Sequence, residues 1–178
     1  MISVEFIILF ILIVIIGFIF KSPIVKGIIG EKSVYIVLNN LLNKEKYFIM
    51  QDITLEKKDD TTQIDLIVFS IYGIFVIEVK NYKGWIFGNT NQKTWTQSIY
   101  KKKNKFQNPL YQNYKHIKFL EETLNISMNN IFKNVVVFTG DSKFKTKLPN
   151  NICTIPNLVL YIQSFNKPIL SRKDVVEQ

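Results

Sequence analysis

Hydrophobic and polar positions follow three patterns along the chain. Residues 6–20 form an unbroken apolar run. Residues 28–43 carry apolar side chains at three- and four-residue spacing, which predicts an amphipathic helix. Residues 64–70 and 74–80 are β-branched and aromatic runs separated by Ile71-Tyr72-Gly73, which predicts a hairpin. Because both runs are apolar at odd and even positions, we expect a sheet that is covered on both faces.

Asn108 and Pro109 mark the start of a further helix, with Asn as the N-cap and Pro in the first turn. Similar signals predict a strand at 47–55, a small hairpin within 81–96, a strand at 135–138 and a helix at 156–165. The resulting order is helix, three strands, helix, strand, helix. This order predicts an α/β layer fold.

The N-terminal segment is the most hydrophobic part of the chain. Its first 20 residues carry one charge, Glu5, and a helix of that length reaches about 30 Å, the thickness of a bilayer's hydrocarbon core. A cleaved signal peptide is the alternative, but the segment lacks its basic start and small-residue cleavage site. We therefore predict a transmembrane helix over residues 1–22. Lys21 and Lys26 follow the apolar run that ends at residue 20, so the positive-inside rule places the remaining chain in the cytoplasm.

The rare residue types exclude several function classes. A single cysteine, Cys153, cannot close an intrachain disulfide or supply a Cys-rich zinc site. A single histidine, His116, argues against a metal site built on two histidines. The chain also lacks the Gly-rich loops that cradle nucleotide phosphates.

The formal net charge is +9, and it becomes +10 once the first 20 residues and their single acid are set aside. A domain this basic can attract nucleic acid or the anionic leaflet of a membrane. The alternative is compositional. All basic residues except Arg172 are lysines, and the chain is rich in Ile and Asn, as AT-rich codon bias produces without any nucleic-acid partner.

Three charged residues interrupt the apolar hairpin: Asp65, Glu78 and Lys80. A hairpin that closes symmetrically around residues 71 and 72 places Asp65 directly opposite Glu78, and Lys80 on the same face as Glu78. Two buried like charges destabilise a fold unless they are neutralised. A bridging Mg²⁺ or Mn²⁺ would neutralise them, since both ions prefer oxygen ligands. The alternative is a structural ion pair at the end of the sheet.

These residues, together with their flanking sequence, resemble a known family. The motifs are Gly30-Glu31, Gln63-Ile64-Asp65, the run from Gly73 to Asn81 (GIFVIEVKN), Gly84, and Asn108-Pro109 followed by Gln112. Asp65 with Glu78-Val79-Lys80 is similar to the metal site of PD-(D/E)xK nucleases, and the ordered set resembles the NERD (nuclease-related) domain. The resemblance covers residues 27–165 and leaves 166–178 as a tail. It implies a restriction-endonuclease-like α/β core, and this domain is known beside membrane segments in bacterial proteins.

The resemblance also implies residue roles. Asp65 and Glu78 correspond to metal ligands, with the backbone carbonyl of Val79 as a further ligand. Lys80 corresponds to the catalytic lysine. Glu31 corresponds to an acid that the first helix of such nucleases places near the metal.

Two of the family's positions also have a structural interpretation. Glu31 lies on the apolar stripe of its predicted helix, where it either caps the first turn or faces a cleft. Gln112 corresponds to a glutamine that contacts the attacking water or the DNA backbone, but it lies off the apolar stripe of its helix, so a solvated side chain fits equally. Ile64 stands where the nominal motif has proline.

A lysine-rich segment and the following helix are candidates for binding DNA phosphates. The residues are Lys101, Lys102, Lys103, Lys105, Lys115 and Lys118. Binding through them would weaken steeply with salt, whereas a solvated loop is the usual role of such a charge run. Three aromatic residues could stack bases: Trp85, Trp95 and Tyr100. Packing in the core or in the small hairpin is the preferred interpretation. His116 is interpreted as a surface or capping residue.

We therefore predict a membrane-anchored, cytoplasmic nuclease that uses Mg²⁺ or Mn²⁺ to hydrolyse DNA phosphodiester bonds. RNA is the alternative to DNA as the nucleic-acid partner. The alternative function is a module that binds nucleic acid or another partner at the membrane face without catalysis. A second alternative is a scaffold at the membrane surface. The sequence does not indicate an oligomeric state.

Overall fold

A computed structural model describes residues 4–57, 60–125 and 130–171. Residues 58–59 of the predicted charged turn and 172–178 of the predicted tail lie outside these ranges. The helices are α1 (Val4–Lys21), α2 (Pro23–Leu41), α3 (Pro109–Thr123) and α4 (Ile155–Gln163). The strands are β1 (Tyr47–Lys57), β2 (Asp60–Ser70), β3 (Gly73–Lys80), β4 (Gly84–Phe87), β5 (Thr94–Ile99), β6 (Lys102–Gln107), β7 (Phe132–Phe138), β8 (Ser142–Phe144) and β9 (Ile152–Thr154).

A five-stranded sheet in the order β1-β2-β3-β7-β9 forms the centre of the fold. The first three strands are an antiparallel meander, and β7 and β9 add in parallel. The β2–β3 register runs from Ser70 opposite Gly73 to Leu66 opposite Ile77. The predicted hairpin and its register are therefore confirmed.

The central sheet is buried on both faces, as the continuous apolar runs predicted. On one face, Val34 and Leu38 of α2 pack with Phe75 and Ile77 of β3. On the other face, side chains of α3, including Ile117, pack in a second cluster with the alternate β3 residues. A strand that is buried on both faces is expected to be apolar throughout. Glu78 interrupts the apolar run of β3 and is itself buried, so its charge requires local compensation.

A second, four-stranded sheet has the order β6-β5-β4-β8. The small hairpin predicted within 81–96 corresponds to β4 and β5, whereas β6, β8 and β9 were not predicted. For the segment that forms β6, the sequence left open a surface that binds DNA phosphates or a solvated loop, and no strand was predicted because its lysines show no apolar alternation. It is an edge strand with exposed lysines that pairs with β5 along its whole length. Trp95 of β5 is buried in a cluster with Ile86 and Phe138, which fixes the second sheet to the first.

The N-terminal helix α1 is apolar and exposes large hydrophobic side chains such as Phe6 and Phe10. Across residues 4–57, 60–125 and 130–171, no helix combines the length and the apolar character needed to cross a membrane. The transmembrane helix predicted over residues 1–22 is therefore not supported. The cytoplasmic location at a membrane stays a prediction from the sequence.

The first residues of the predicted tail pack against the β2–β3 turn. The backbone N–H groups of Ile169 and Leu170 both donate to the carbonyl of Ile71, at 2.8 and 3.0 Å. Leu170 is buried in the cluster beneath α3. This segment therefore closes one edge of the core.

Asn108 is the N-cap of α3, as predicted, and it is fully buried. Its side-chain oxygen accepts a hydrogen bond from the Leu110 N–H at 3.0 Å. Its amide group donates toward the β4–β5 connection, with the carbonyl of Gln92 at 2.7 Å. One side chain thus connects the start of α3 to the second sheet.

We expect Asn108→Ala to lower the free energy of unfolding by about 2 kcal/mol, because it removes an N-cap and the hydrogen bond to the Gln92 carbonyl. Asn108→Ser keeps a capping oxygen and should recover about half of that loss. Chemical denaturation of the three proteins measures both effects. Equal losses in the two variants would show that the cap does not contribute.

Candidate active site

Regular pairing between β2 and β3 ends next to the row that contains Asp65 and Glu78. The β2–β3 ladder ends at Leu66 opposite Ile77, so the next row brings Asp65 and Glu78 together. In place of a ladder bond, Asp65 Oδ2 accepts a hydrogen bond from the Val79 N–H at 2.7 Å. The prediction that Asp65 and Glu78 occupy facing positions therefore agrees with the register.

The β1–β2 ladder is interrupted at the same row. Gln51 pairs with Leu66 and Ile53 pairs with Ile64, but Asp52 between them has a positive φ of 55°. Its carboxylate instead accepts a hydrogen bond from Gln63 Nε2 at 2.5 Å. Strand β2 is thus unpaired at Asp65 on both sides, toward β1 and toward β3. The gap leaves room for the side chains of this row.

Glu78 is 2% exposed and contacts two basic side chains. Lys80 Nζ lies 2.6 Å from Oε1, and His116 Nε2 lies 3.2 Å from Oε2. Neither atom of the His116 contact has a hydrogen-bond partner. Glu78 Oε2 is therefore a buried carboxylate oxygen with spare capacity to accept a bond.

Lys80 is held between two elements. Besides its ion pair with Glu78, its ammonium donates to Gln112 Oε1 on α3 at 2.9 Å. The structure thus places Gln112 in the site, rather than on a solvated face of its helix. Lys80 is fixed in direction by an acid on its own strand and an amide from α3.

His116 also belongs to the site, so its interpretation as a surface or capping residue is wrong. It is 8% exposed, and its Nδ1 lies 2.6 Å from the hydroxyl of Thr62 on β2. Gln112 and His116 are four residues apart and therefore share one face of α3. That spacing was the sequence signal that could have identified His116 once Gln112 was a candidate.

Glu31 does not cap a helix. Helix α2 begins at Pro23, so Glu31 lies more than two turns inside it. A Cβ on the preceding residue, Gly30, would lie 2.8 Å from Thr139 Oγ1 and 3.1 Å from Asn81 Cβ. Glycine thus lets α2 approach the end of β3 closely, which brings Glu31 into the electrostatic field of the site.

The acidic residues shift one another's titration. The pKa of Asp65 is raised to about 7, chiefly by burial and then by the neighbouring Glu78, with a smaller contribution from Glu31. The Val79 N–H and Lys80 act in the opposite direction. Burial also raises the pKa of Glu31, as do Asp52 and Glu78, while Lys80 acts in the opposite direction. The site therefore holds more negative charge than Lys80 balances.

This imbalance fits a bound cation. Within the described ranges, no group of three or more His, Cys, Asp and Glu side chains is placed to hold a metal ion. The predicted site needs only two carboxylates, Asp65 and Glu78, with further ligands from the backbone or water. The raised pKa of Asp65 and the free oxygen of Glu78 are both properties that a divalent cation would compensate.

A cleft of about 600 Å³ opens beside these residues. It is lined by residues of β1, β2, β6 and α3. Asp65, Glu78 and Lys80 do not line it, but Gln112 and His116 do, and these two contact Lys80 and Glu78. Of the lysines predicted to bind DNA, Lys115 and Lys118 line this cleft, and Lys118 pairs with Glu121 at 2.5 Å.

The four remaining predicted lysines lie outside the cleft but are exposed. Lys103 and Lys105 alternate along β6 with Gln107, which lines the cleft, so these three residues share one face of the strand. Lys102 begins β6 at its far end, and Lys101 lies in the turn before it. A line of positive charge thus leads from β6 toward the site.

The chain matches the nuclease-related domain (NERD) family over residues 26–139. The chain belongs to the NERD family. The match includes both elements of the hairpin and the α3 residues described above. An uncharacterized protein of Bacillus anthracis is 48% identical over 97 residues, which cover 54% of this chain and 45% of that relative. The chain thus spans about half the length of this curated relative. No solved structure matches the chain.

The raised pKa of Asp65 predicts how the stability of this NERD domain depends on pH. Between its ordinary value of 3.8 and about 7, the folded protein retains a proton that the unfolded chain releases. Protonated Asp65 therefore contributes its full stabilisation below about pH 3.8, and this contribution is lost as the pH rises through about 7.

We expect the wild-type unfolding free energy to fall by about 1–3 kcal/mol more than that of Asp65→Asn between about pH 5 and about pH 8. Denaturant titrations in EDTA measure this difference. Asp60→Asn, at an exposed position, gives the baseline for removing one carboxylate. Parallel pH profiles for wild type and Asp65→Asn would contradict the prediction.

Proposed function

We propose that this NERD protein is a divalent-metal-dependent nuclease that hydrolyses DNA phosphodiester bonds. The observation that carries the proposal is the buried Glu78, which has one oxygen on Lys80 and the other without a hydrogen bond. Asp65 lies in the facing row with a pKa raised to about 7. Two carboxylates and a lysine therefore converge beside a lysine-lined cleft, and family membership points to the same chemistry.

Asp65 and Glu78 would hold Mg²⁺ or Mn²⁺, with the Val79 carbonyl as a further ligand that the resemblance suggests. When bound, such a cation polarises a phosphodiester and lowers the pKa of a coordinated water. Asp65 is already oriented for this role, because its other oxygen is fixed by the Val79 N–H. Binding would also remove the repulsion between the two carboxylates.

Lys80 would balance negative charge that develops on the phosphate. Its ammonium is pre-positioned by Glu78 and Gln112, so little reorganisation is needed when substrate enters. Gln112 lines the cleft and therefore also faces the DNA. In this proposal Asp65, Glu78 and Lys80 are catalytic residues, and Gln112 positions Lys80.

His116 is a positioning residue in this proposal. Thr62 contacts one ring nitrogen, and the other ring nitrogen lies 3.2 Å from Glu78 Oε2 without a hydrogen bond. The imidazole would restrict the rotation of the Glu78 carboxylate by packing beside it, which leaves Oε2 available to a cation. Glu31 would act at longer range, by adding negative potential that favours cation binding.

The substrate would lie along the cleft. Lys115 and Lys118 line it, and exposed Lys103 and Lys105 extend the positive surface along β6. Their contacts with phosphates would make affinity fall as salt is raised. RNA would satisfy the same contacts and is a further candidate substrate.

A non-catalytic binding module is the second candidate function. It is favoured by the closed ion pair, because Lys80 already neutralises one oxygen of Glu78 without a cation. In that case the acidic site would be structural, and the lysine-lined cleft would bind nucleic acid without cutting it. Cleavage assays separate the two functions.

The test is incubation of the full chain with plasmid and linear DNA in Mg²⁺, Mn²⁺ or EDTA. We expect cutting in either metal and none in EDTA. Glu78→Gln and Lys80→Ala should each reduce the rate by at least about 100-fold, because each removes a charge that acts in the transition state. The matched controls are Glu45→Gln and Lys44→Ala, which make the same changes at exposed positions in the α2–β1 connection.

Cutting that survives both site variants would contradict the assigned site. Absence of cutting in all forms, with salt-sensitive DNA binding retained, would support the binding module. Equal losses in the site variants and in the controls would show a general effect of charge.

A further inference from the structure

The outer face of the second sheet carries aromatic side chains in the middle and lysines at both edges. Trp85 on β4 pairs with Lys143 on one side and Ser98 on the other, and Ser98 pairs with Lys103. Two residues further along, Phe87 pairs with Thr96, which pairs with Lys105. Directly paired residues share a face of the sheet, so these side chains form two parallel rows.

Burial confirms which face is exposed. Trp95 and Ile86 occupy the inner face and are 0% exposed, whereas Trp85 is 50% and Phe87 is 37% exposed. The two outward rings do not contribute to the cluster that joins the sheets. Exposed aromatic side chains grouped on one surface are typical of a binding site.

Positive charge borders the rings on both sides. Lys145 follows β8 by one residue and places its ammonium 4.4 Å from the centre of the Trp85 ring. Lys143 lies on the same edge, and Lys103 and Lys105 lie on the opposite edge, all exposed. Lysines on the edge strand β6 also discourage pairing with other sheets, but this does not explain the cation over Trp85.

A hollow of about 420 Å³ lies at the end of β4 and β5, between Trp85, Tyr100 and Lys83. Tyr100 is fully exposed in the turn after β5, with a positive φ of 51°. Gly84 has a φ of 83°, and a Cβ there would lie 2.5 Å from the Ser98 carbonyl. Glycine at this position therefore keeps Trp85 close against β5 at the rim of the hollow.

We propose that this outer face binds single-stranded nucleic acid, with bases stacked on Trp85 and Phe87. Lys103, Lys105 and Lys143 would contact its phosphates. Aromatic rings suit unpaired bases, whose faces are accessible, and flanking lysines suit the backbone that runs beside them. A duplex hides its base faces, so the rings favour the single-stranded form.

The surface continues into the cleft of the candidate active site. Lys103, Lys105 and Gln107 alternate along one face of β6, about 6.6 Å apart, and Gln107 lines the cleft. A strand bound on the rings would therefore pass toward Gln112 and Lys80. This deepens the proposed nuclease function, on which it rests for its link to catalysis, by specifying an unpaired strand as the bound form.

The test measures binding of a labelled oligodeoxythymidine of about 15 nucleotides to the full chain in EDTA, by fluorescence anisotropy. Trp85→Ala should weaken binding by about 10-fold, and Trp85→Phe should largely restore it because a stacking ring remains. Phe48→Ala removes an exposed aromatic ring from the other sheet and is the matched control. A duplex of the same length and an oligouridine test strand form and sugar.

A second pair of variants tests the charges. Lys103→Ala with Lys105→Ala should weaken binding and reduce its salt dependence. Lys44→Ala with Lys46→Ala changes the net charge equally at exposed positions away from this sheet and should leave binding near the wild-type value. Tryptophan fluorescence gives an independent signal, because quenching by bound bases should disappear in Trp85→Phe while the buried Trp95 remains.

Unchanged oligonucleotide binding in Trp85→Ala, or tighter binding of duplex than of single strand, would overturn this proposal. Equal losses in the lysine variants and their controls would also overturn it. Metal-dependent cutting would still test the nuclease function independently. Binding that depends on Trp85 in a protein that cuts no DNA would support the surface and contradict the nuclease.

Discussion

Two carboxylates lie next to each other in the interior of the domain, where the β2–β3 ladder ends, and the surrounding structure has to compensate their charge. Electrostatic interactions are strong in such a low-dielectric position. Lys80 binds one oxygen of Glu78, His116 approaches the other, and the Val79 N–H binds Asp65. Helix α3 supplies partners for this row, and its N-cap fixes it to the second sheet. Compensation is incomplete, because Glu78 Oε2 has no hydrogen-bond partner.

The parts of this arrangement that were predictable depend on short-range rules. Alternation of side chains and a symmetric turn determine hairpin register, so the facing positions of Asp65 and Glu78 follow from their spacing around the turn. Continuous apolar runs predicted burial on both faces of the sheet. Asn108 was recognised as a cap because its chemistry and the following proline form a local signal.

Other parts depend on contacts between distant segments. β6 is held in the second sheet by pairing with β5, and its lysines face solvent, so its sequence has no apolar alternation. β8 and β9 have three residues each and are defined by the strands they join. His116 acquires its role through contacts with Thr62 and Glu78, which lie far away in the sequence. Glu31 was open to a cap interpretation until the start of α2 was known.

Calorimetric titration of Mn²⁺ into the full chain at about pH 6, in buffers of different ionisation enthalpy, is the sharpest test of a divalent-cation site at Asp65 and Glu78. We expect binding of one ion with release of close to one proton, because the carboxylate pair holds a proton below a pKa of about 7. Glu78→Gln should abolish binding, and Asp65→Asn should weaken it and remove the proton release. Absence of binding, or binding that is unchanged in both variants, would show that Asp65 and Glu78 do not hold a divalent cation.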